Sequence, residues 1–276
     1  MTQVVKKTES PRLGCVSYLN AKPLIHGLPP APEGGVHLTL DVPSRLIGRL
    51  LSEQIDLALC SIADLFAHRD TVELVPVGGI GCAGPTWTVR LFSRVPAEAV
   101  RVVHADTDSH TSVQLLRVLL REMYGHDPEL IHYDARRRRA EGRDLQPGRP
   151  PEAVLLIGDK VVTDGPAATV YPYQLDLGAA WHDLTGRPFV FAAWLKRRGD
   201  DLGMLPNRLA DLLHANLRQV DAIAQRYAEP HGWPIDLASR YLGEVLRYRL
   251  GPAELDAIAH FDRHLADLPR PAAATD

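Results

Sequence analysis

The sequence predicts an α/β protein, with mixed but mostly parallel sheets and a C-terminal helical segment. Three observations carry that expectation. Short apolar runs alternate with amphipathic helical stretches from residue 12 to about residue 194. Glycine- and proline-bearing turns separate them. After Met204 the strand signals cease while helical periodicity continues. Strand-helix alternation implies mainly parallel strands with helices on both faces. At 276 residues, 45% hydrophobic and 24% charged, the chain can bury a sizeable core as one large unit or two lobes.

Residues 12–17 form an apolar strand that runs into the polar corner Tyr18-Leu19-Asn20, and Pro23 favours the first turn of a short helix. Residues 36–42 alternate as a strand. Pro43-Ser44-Arg45 then opens a helix with Leu46, Leu50 and Leu51 on one face. A buried strand at 55–60 leads into a helix start from Ser61 to Phe66. Strands follow at 72–77 and 86–93, and Pro96 marks a crossing between lobes. A second series opens with a strand at 100–103 and a long helix over 109–124. Residues 153–157 read as a buried strand, and 189–194 as the last strong one. Helices are expected at 207–228, 234–249 and 252–268, with a frayed tail after Pro269.

Composition excludes several partners. The formal charge of -3 gives no reason to expect nucleic acid or an anionic membrane. Arg136 to Arg139 stand in a row, but Glu141 and Asp144 interrupt the charge, no aromatic interleaves, and three prolines follow. Residues 135–151 therefore read as a solvated loop. No run approaches the roughly 20 apolar residues of a spanning helix. Residues 1–11 carry Lys6 and Lys7 without an apolar stretch behind them, so a cytoplasmic location is expected. Cys15, Cys60 and Cys82 lack Cys-x-x-Cys spacing and read as buried thiols.

Gly79-Ile80-Gly81-Cys82-Ala83-Gly84 has dinucleotide-binding spacing, but Pro85 and a β-rich run follow where a helix is needed. It reads as a close-packed or flexible bend. Ser109-His110-Thr111-Ser112 opens the 109–124 helix with three hydroxyls, where a single cap needs one. Beside the helix N-terminus they suit a carboxylate or phosphate. His104, Asp106, Asp108 and His110 have no recognised metal-ligand spacing, so no metal is expected. Asp159, after Ile157-Gly158, either caps the turn at 160–162 or orients a hydroxyl and moves a proton. Ser61 can cap a helix, bind an anion, or both. Thr88 serves strand geometry or the site. Asn20 either caps a helix or presents its paired amide donor and acceptor to a ligand.

The segment at 176–194 joins a helical turn, a Thr185-Gly186 bend and a buried aromatic strand. Together with Ser17-Tyr18-Leu19-Asn20-Ala21-Lys22-Pro23-Leu24, Asp106-x-x-Ser109-x-Thr111-Ser112 and Ile157-Gly158-Asp159, it resembles the chorismate dehydratase family of the futalosine route to menaquinone, from about residue 12 to 265. The related enzyme acting on a later futalosine-derived intermediate usually opens with a Ser-Pro-Cys-Pro-Asn-Asp type segment, which this chain lacks. The resemblance implies a two-lobed periplasmic-binding-protein-like type II fold. Residues 12–94 would form the first part of lobe 1, 95–192 lobe 2, and 193–268 a mainly helical return to lobe 1. It further implies conversion of chorismate, a small dicarboxylate, to 3-[(1-carboxyvinyl)oxy]benzoate and water without a cofactor. By this resemblance Asn20 and Asp159 would be catalytic, and Ser61, Thr88, Ser109, Thr111 and Ser112 would bind substrate. Thr88 stands where the family commonly has serine. A non-catalytic solute-binding protein of the same fold is the alternative, and the sequence leaves the oligomeric state open.

Overall fold

The computed structural model describes residues 10–134 and 150–269. Residues 135–149 of the expected loop, the tail after Pro269 and most of the N-terminal segment at 1–11 thus lie outside the described residues. Two sheets share the chain. The first holds β1 (Arg12–Val16), β2 (His37–Asp41), β3 (Leu57–Ser61), β4 (Val72–Cys82), β10 (Phe189–Arg197) and β11 (Leu246–Arg247). The second holds β5 (Val89–Ser93), β6 (Val102–Asp106), β7 (Glu129–Tyr133), β8 (Ala153–Ile157) and β9 (Tyr173–Asp176). In space they run β11-β4-β10-β3-β1-β2 and β7-β6-β8-β5-β9. Each sheet with its helices makes one lobe.

The helices that position the cleft begin where the sequence places their starts. Proline stands in the first turn of α1 (Lys22–Ile25) and of α2 (Pro43–Leu51), where its missing N–H costs nothing. The helix α3 (Ile62–Ala67) follows β3 directly, and Ser109 caps α4 (His110–Tyr124) by accepting from the Ser112 N–H at 3.2 Å. Leu115, Leu116, Leu119 and Leu120 bury the inner face of α4. Every residue of β3 and β8 is buried, as expected of strands covered on both faces. Cys15, Cys60 and Cys82 are buried free thiols, and burial pushes the Cys15 and Cys82 thiols up to about 12. No helix among the described residues is long and apolar enough to cross a membrane.

Four expectations need correction. Among the described strand pairs four are parallel and five antiparallel, so parallel strands do not dominate. Four of the five antiparallel pairs involve β5 or β10, the strands on which the chain passes from one sheet to the other; no helix separates β5 from β4, whereas the helix Leu177–Thr185 precedes β10. For the same reason the lobe ranges 12–94, 95–192 and 193–268 do not follow the sheets. β5 already pairs in the second sheet, and β10 returns to the first from Phe189. Pro96 lies beyond the end of β5, before the 3-10 turn Ala97–Ala99, and does not mark the crossing. Third, the glycine run is mostly strand: β4 continues to Cys82, and the expected bend is confined to Ala83-Gly84. A Cβ at Gly79 or Gly81 would stand 2.6 Å from the Ala192 carbonyl oxygen or 2.5 Å from that of Phe189. These glycines let β4 and β10 approach closely. Fourth, the helix expected at 207–228 is two, Leu205–Leu217 and Val220–Tyr227. The one expected at 234–249 is Ile235–Arg240 followed by a π-turn at Tyr241–Val245 and by β11. The short edge strands β7 and β9 are mostly polar or exposed and gave no apolar run to read.

Candidate active site

A cleft opens between the sheets, at the carboxyl ends of β1, β3 and β8 and beside the chain crossings. In open α/β sheets this is where ligands bind. Asn20, Ser61, Thr88, Ser109 and Ser112 all line it, with Tyr18, Thr86, Gly158 and Tyr241 beside them. None of the described lining residues is charged. The cleft therefore offers hydroxyls, one amide and the N-terminus of a 15-residue helix, a set suited to an anion held without a cationic side chain. Asn20 Oδ1 and Ser61 Oγ are buried without a protein partner, so both are available to a ligand.

Asn20 is not a helix cap. It lies within a 3-10 turn, and α1 starts from Ala21 with no side-chain capping bond. Ser61 holds the N-cap position of α3 but likewise makes no side-chain capping bond. Thr111 does not reach the cleft. It is fully buried, and its Oγ1 accepts the Ala63 N–H at 3.1 Å across the lobes, so it caps α3 from outside. Nor is Asp159 among the lining residues. Its carboxylate takes the Leu19 N–H at 3.1 Å, His231 Nδ1 at 2.8 Å and Trp233 Nε1 at 3.1 Å, and it gives the turn after it no capping bond. That geometry fastens the end of β8 to the opposite lobe.

Other fastenings surround it. The Tyr18 hydroxyl donates to Asp108 at 2.6 Å, and Lys160 Nζ reaches Asp106 at 2.6 Å and Asp108 at 2.7 Å. Burial raises the Asp106 pKa above its ordinary value despite Lys160. These contacts, with His110 on Asp64, occupy three of the four residues weighed as metal ligands; the fourth, His104, packs edge-on to Tyr133. Asp176, unread in the sequence, anchors the crossing. Its oxygens accept from Thr86 and Trp87 on one crossing segment and from Gly178 and Ala179 on the other. Tyr241 was also missed, because 234–249 reads as uniform helix.

His110 Nδ1 meets Asp64 Oδ1 at 2.6 Å between α4 and α3, and its side chain is 50% exposed. The hydrogen bond to Asp64 raises the His110 pKa above its ordinary 6.5. A raised folded-state value means the contribution is complete below about pH 6.5 and is lost as pH rises through the raised value. Melting temperatures of the wild type and His110→Gln should therefore differ most in acid and converge in alkali. A difference independent of pH would show that the pair adds nothing through its charge.

Comparison with known proteins places the chain. A family model described as menaquinone biosynthesis matches residues 11–267. The chorismate dehydratase of Thermus thermophilus is 32% identical over 200 residues, covering 67% of this chain and 69% of that one. Among solved structures, a protein from Archaeoglobus fulgidus superposes with a TM-score of 0.67 at 12% identity, covering 95% of this chain and 98% of the other. The alkanesulfonate-binding protein of Xanthomonas axonopodis pv. citri, bound to MOPS, gives 0.61 at 16% identity over 93% and 94%. A Candida albicans protein with the generic periplasmic binding protein fold gives 0.60 at 12% identity over 97% and 92%. At these identities the structural likenesses show the fold alone, a periplasmic-binding-protein-like one.

Proposed function

Because the chain belongs to the menaquinone biosynthesis family, we propose that it is a chorismate dehydratase, a carbon-oxygen lyase working in the cytoplasm. The single observation that carries the reading is the gathering of Asn20, Ser61, Thr88, Ser109 and Ser112 in one uncharged cleft. The family resemblance names these residues, and segments far apart in the chain supply them. Chorismate carries two carboxylates. One lies at the α4 N-terminus against Ser109 and Ser112, where the helix end favours negative charge. Ser61 and Thr88 face the rest of the molecule, and Asn20 meets the reacting ring or its hydroxyl.

The chemistry is an elimination. The ring C3 proton is acidified through the C1=C2 bond and its carboxylate; a base takes it, the C4 hydroxyl leaves, and proton and hydroxide depart together as water. The electron pair left at C3 completes the aromatic ring. No carboxylate or imidazole lines the cleft among the described residues, and Asp159 is held by three partners elsewhere. A substrate carboxylate is thus the base this geometry supports. The protein holds the dianion, excludes water and aligns the two leaving groups, which is where positioning lowers barriers most. The reaction itself calls for no cofactor.

Purified protein given chorismate alone should remove the diene absorbance and yield the benzoate ether by mass spectrometry. A folded sample that leaves fresh chorismate intact overturns the proposal. Tight binding of chorismate without conversion would instead favour a solute-binding role for this fold.

A further inference from the structure

Tyr241 is 1% exposed, lines the cleft, and begins the only π-turn among the described residues. Such turns insert one extra residue into a helix and recur at functional sites. Here the turn brings a phenol from the C-terminal segment to the junction of the two lobes. The ring stacks on Trp233 at 4.7 Å and on Trp87 at 6.3 Å, both at 16°. Trp87 itself sits at a φ of 64°, uncommon for any residue with a side chain. The Tyr241 oxygen stands 2.6 Å from Thr88 Oγ1, and the Asn20 side chain is close enough to act on its acidity. Burial keeps the phenol protonated far above its ordinary range.

The polar atoms around this oxygen admit one consistent pattern. Asn20 Oδ1 has no protein partner, which leaves the amide nitrogen as the end of Asn20 to face Tyr241 across the cleft they both line. A phenol oxygen so placed accepts from that nitrogen and gives its own proton to Thr88 Oγ1, 2.6 Å away. Thr88 keeps a proton for the weak bond to the Thr86 carbonyl at 3.5 Å or for a ligand. We propose that Tyr241 is the positioning residue of the cleft, fixing the Asn20 carbonyl oxygen and the Thr88 hydroxyl toward the bound molecule from opposite lobes. The phenol transfers no proton to substrate. It sets which end of the amide the substrate meets. This deepens the dehydratase reading and rests on it for its kinetic arm only.

Tyr241→Phe keeps the ring between the two tryptophans and removes only the hydroxyl. In the wild type, the Asn20 side-chain amide protons, identified by their loss in Asn20→Asp, should be displaced from free-amide positions and slow to exchange. In Tyr241→Phe they should move to free-amide positions with fast exchange. With chorismate, Tyr241→Phe should lose about tenfold in kcat with KM within about twofold, the scale of one neutral hydrogen bond. Thr88→Val should cost a similar factor, and the double variant no more than either alone, because both cut the same link. Unmoved Asn20 amide signals in Tyr241→Phe, a kcat within twofold of wild type, or losses that simply multiply would each overturn the assignment. If the wild type leaves chorismate intact, the dehydratase reading fails, and the amide signals alone decide the role of Tyr241.

Discussion

Replacing Asn20 with alanine is expected to slow chorismate turnover by at least about a hundredfold, the scale on which removing one transition-state hydrogen-bonding group acts. The melting temperature should barely move. Asn20 Oδ1 has no protein partner to lose, and the side chain caps neither the 3-10 turn nor α1. Aspartate should do no better. It is nearly isosteric, but it brings a negative charge beside a dianionic substrate and puts a carboxylate oxygen where the amide nitrogen faced Tyr241. Two acceptors then compete for one phenol proton. Steady-state rates and thermal melts of both variants decide the matter. Near-normal turnover in both would remove Asn20 from the reaction and leave Ser61, Thr88 and Tyr241 as the polar groups to test.

Much of this was legible in the sequence because the informative features are local. The buried strands β3 and β8 are unbroken apolar runs, and prolines or hydroxyls announce α1, α2 and α4. Asn20, Ser61, Thr88, Ser109 and Ser112 sit at strand ends or helix starts, and the α/β arrangement draws such ends together. Most of the misreadings concern long-range pairing. Thr111 looks like its neighbours Ser109 and Ser112, yet it faces the opposite lobe, 48 residues back along the chain at Ala63. Asp159 follows a strand as a catalytic acid would, but its partners at Leu19, His231 and Trp233 lie in segments no local pattern connects to it. The switch of β5 into the second sheet depends on which strand it pairs with, and side-chain alternation is the same in either sheet. Tyr241 was hidden because a π-turn keeps helical composition while shifting the face by one residue.

Gly158→Ala is expected to abolish most turnover through the closure of the lobes, with each lobe still folded. Gly158 has a φ of 72° at the end of β8, and the Tyr18 ring from the other lobe lies flat against it. A Cβ there would stand 2.7 Å from Tyr18 Cε1 and 2.8 Å from Cζ. The left-handed backbone alone costs a side-chain-bearing residue about 1–2 kcal/mol. The ring cannot simply swing aside, because its hydroxyl is held on the buried Asp108 carboxylate at 2.6 Å. Breaking a hydrogen bond to a charged group costs about 1.5–3 kcal/mol. The backbone cost falls on the fold in any state, so the Tyr18 contact alone acts on closure, and about 1.5–3 kcal/mol is on the order of ten- to a hundredfold against the closed state. Gly125→Ala separates the two causes, since Gly125 shares the conformation, at a φ of 74°, but has nothing within 4 Å of its added carbon. Gly125→Ala should lose a little melting temperature and keep its turnover. Gly158→Ala should lose turnover far beyond any loss of melting temperature, and small-angle scattering with chorismate present should show it remaining more extended than the wild type. If Gly158→Ala instead tracks Gly125→Ala in rate and in shape, the contact between Tyr18 and Gly158 does not limit closure.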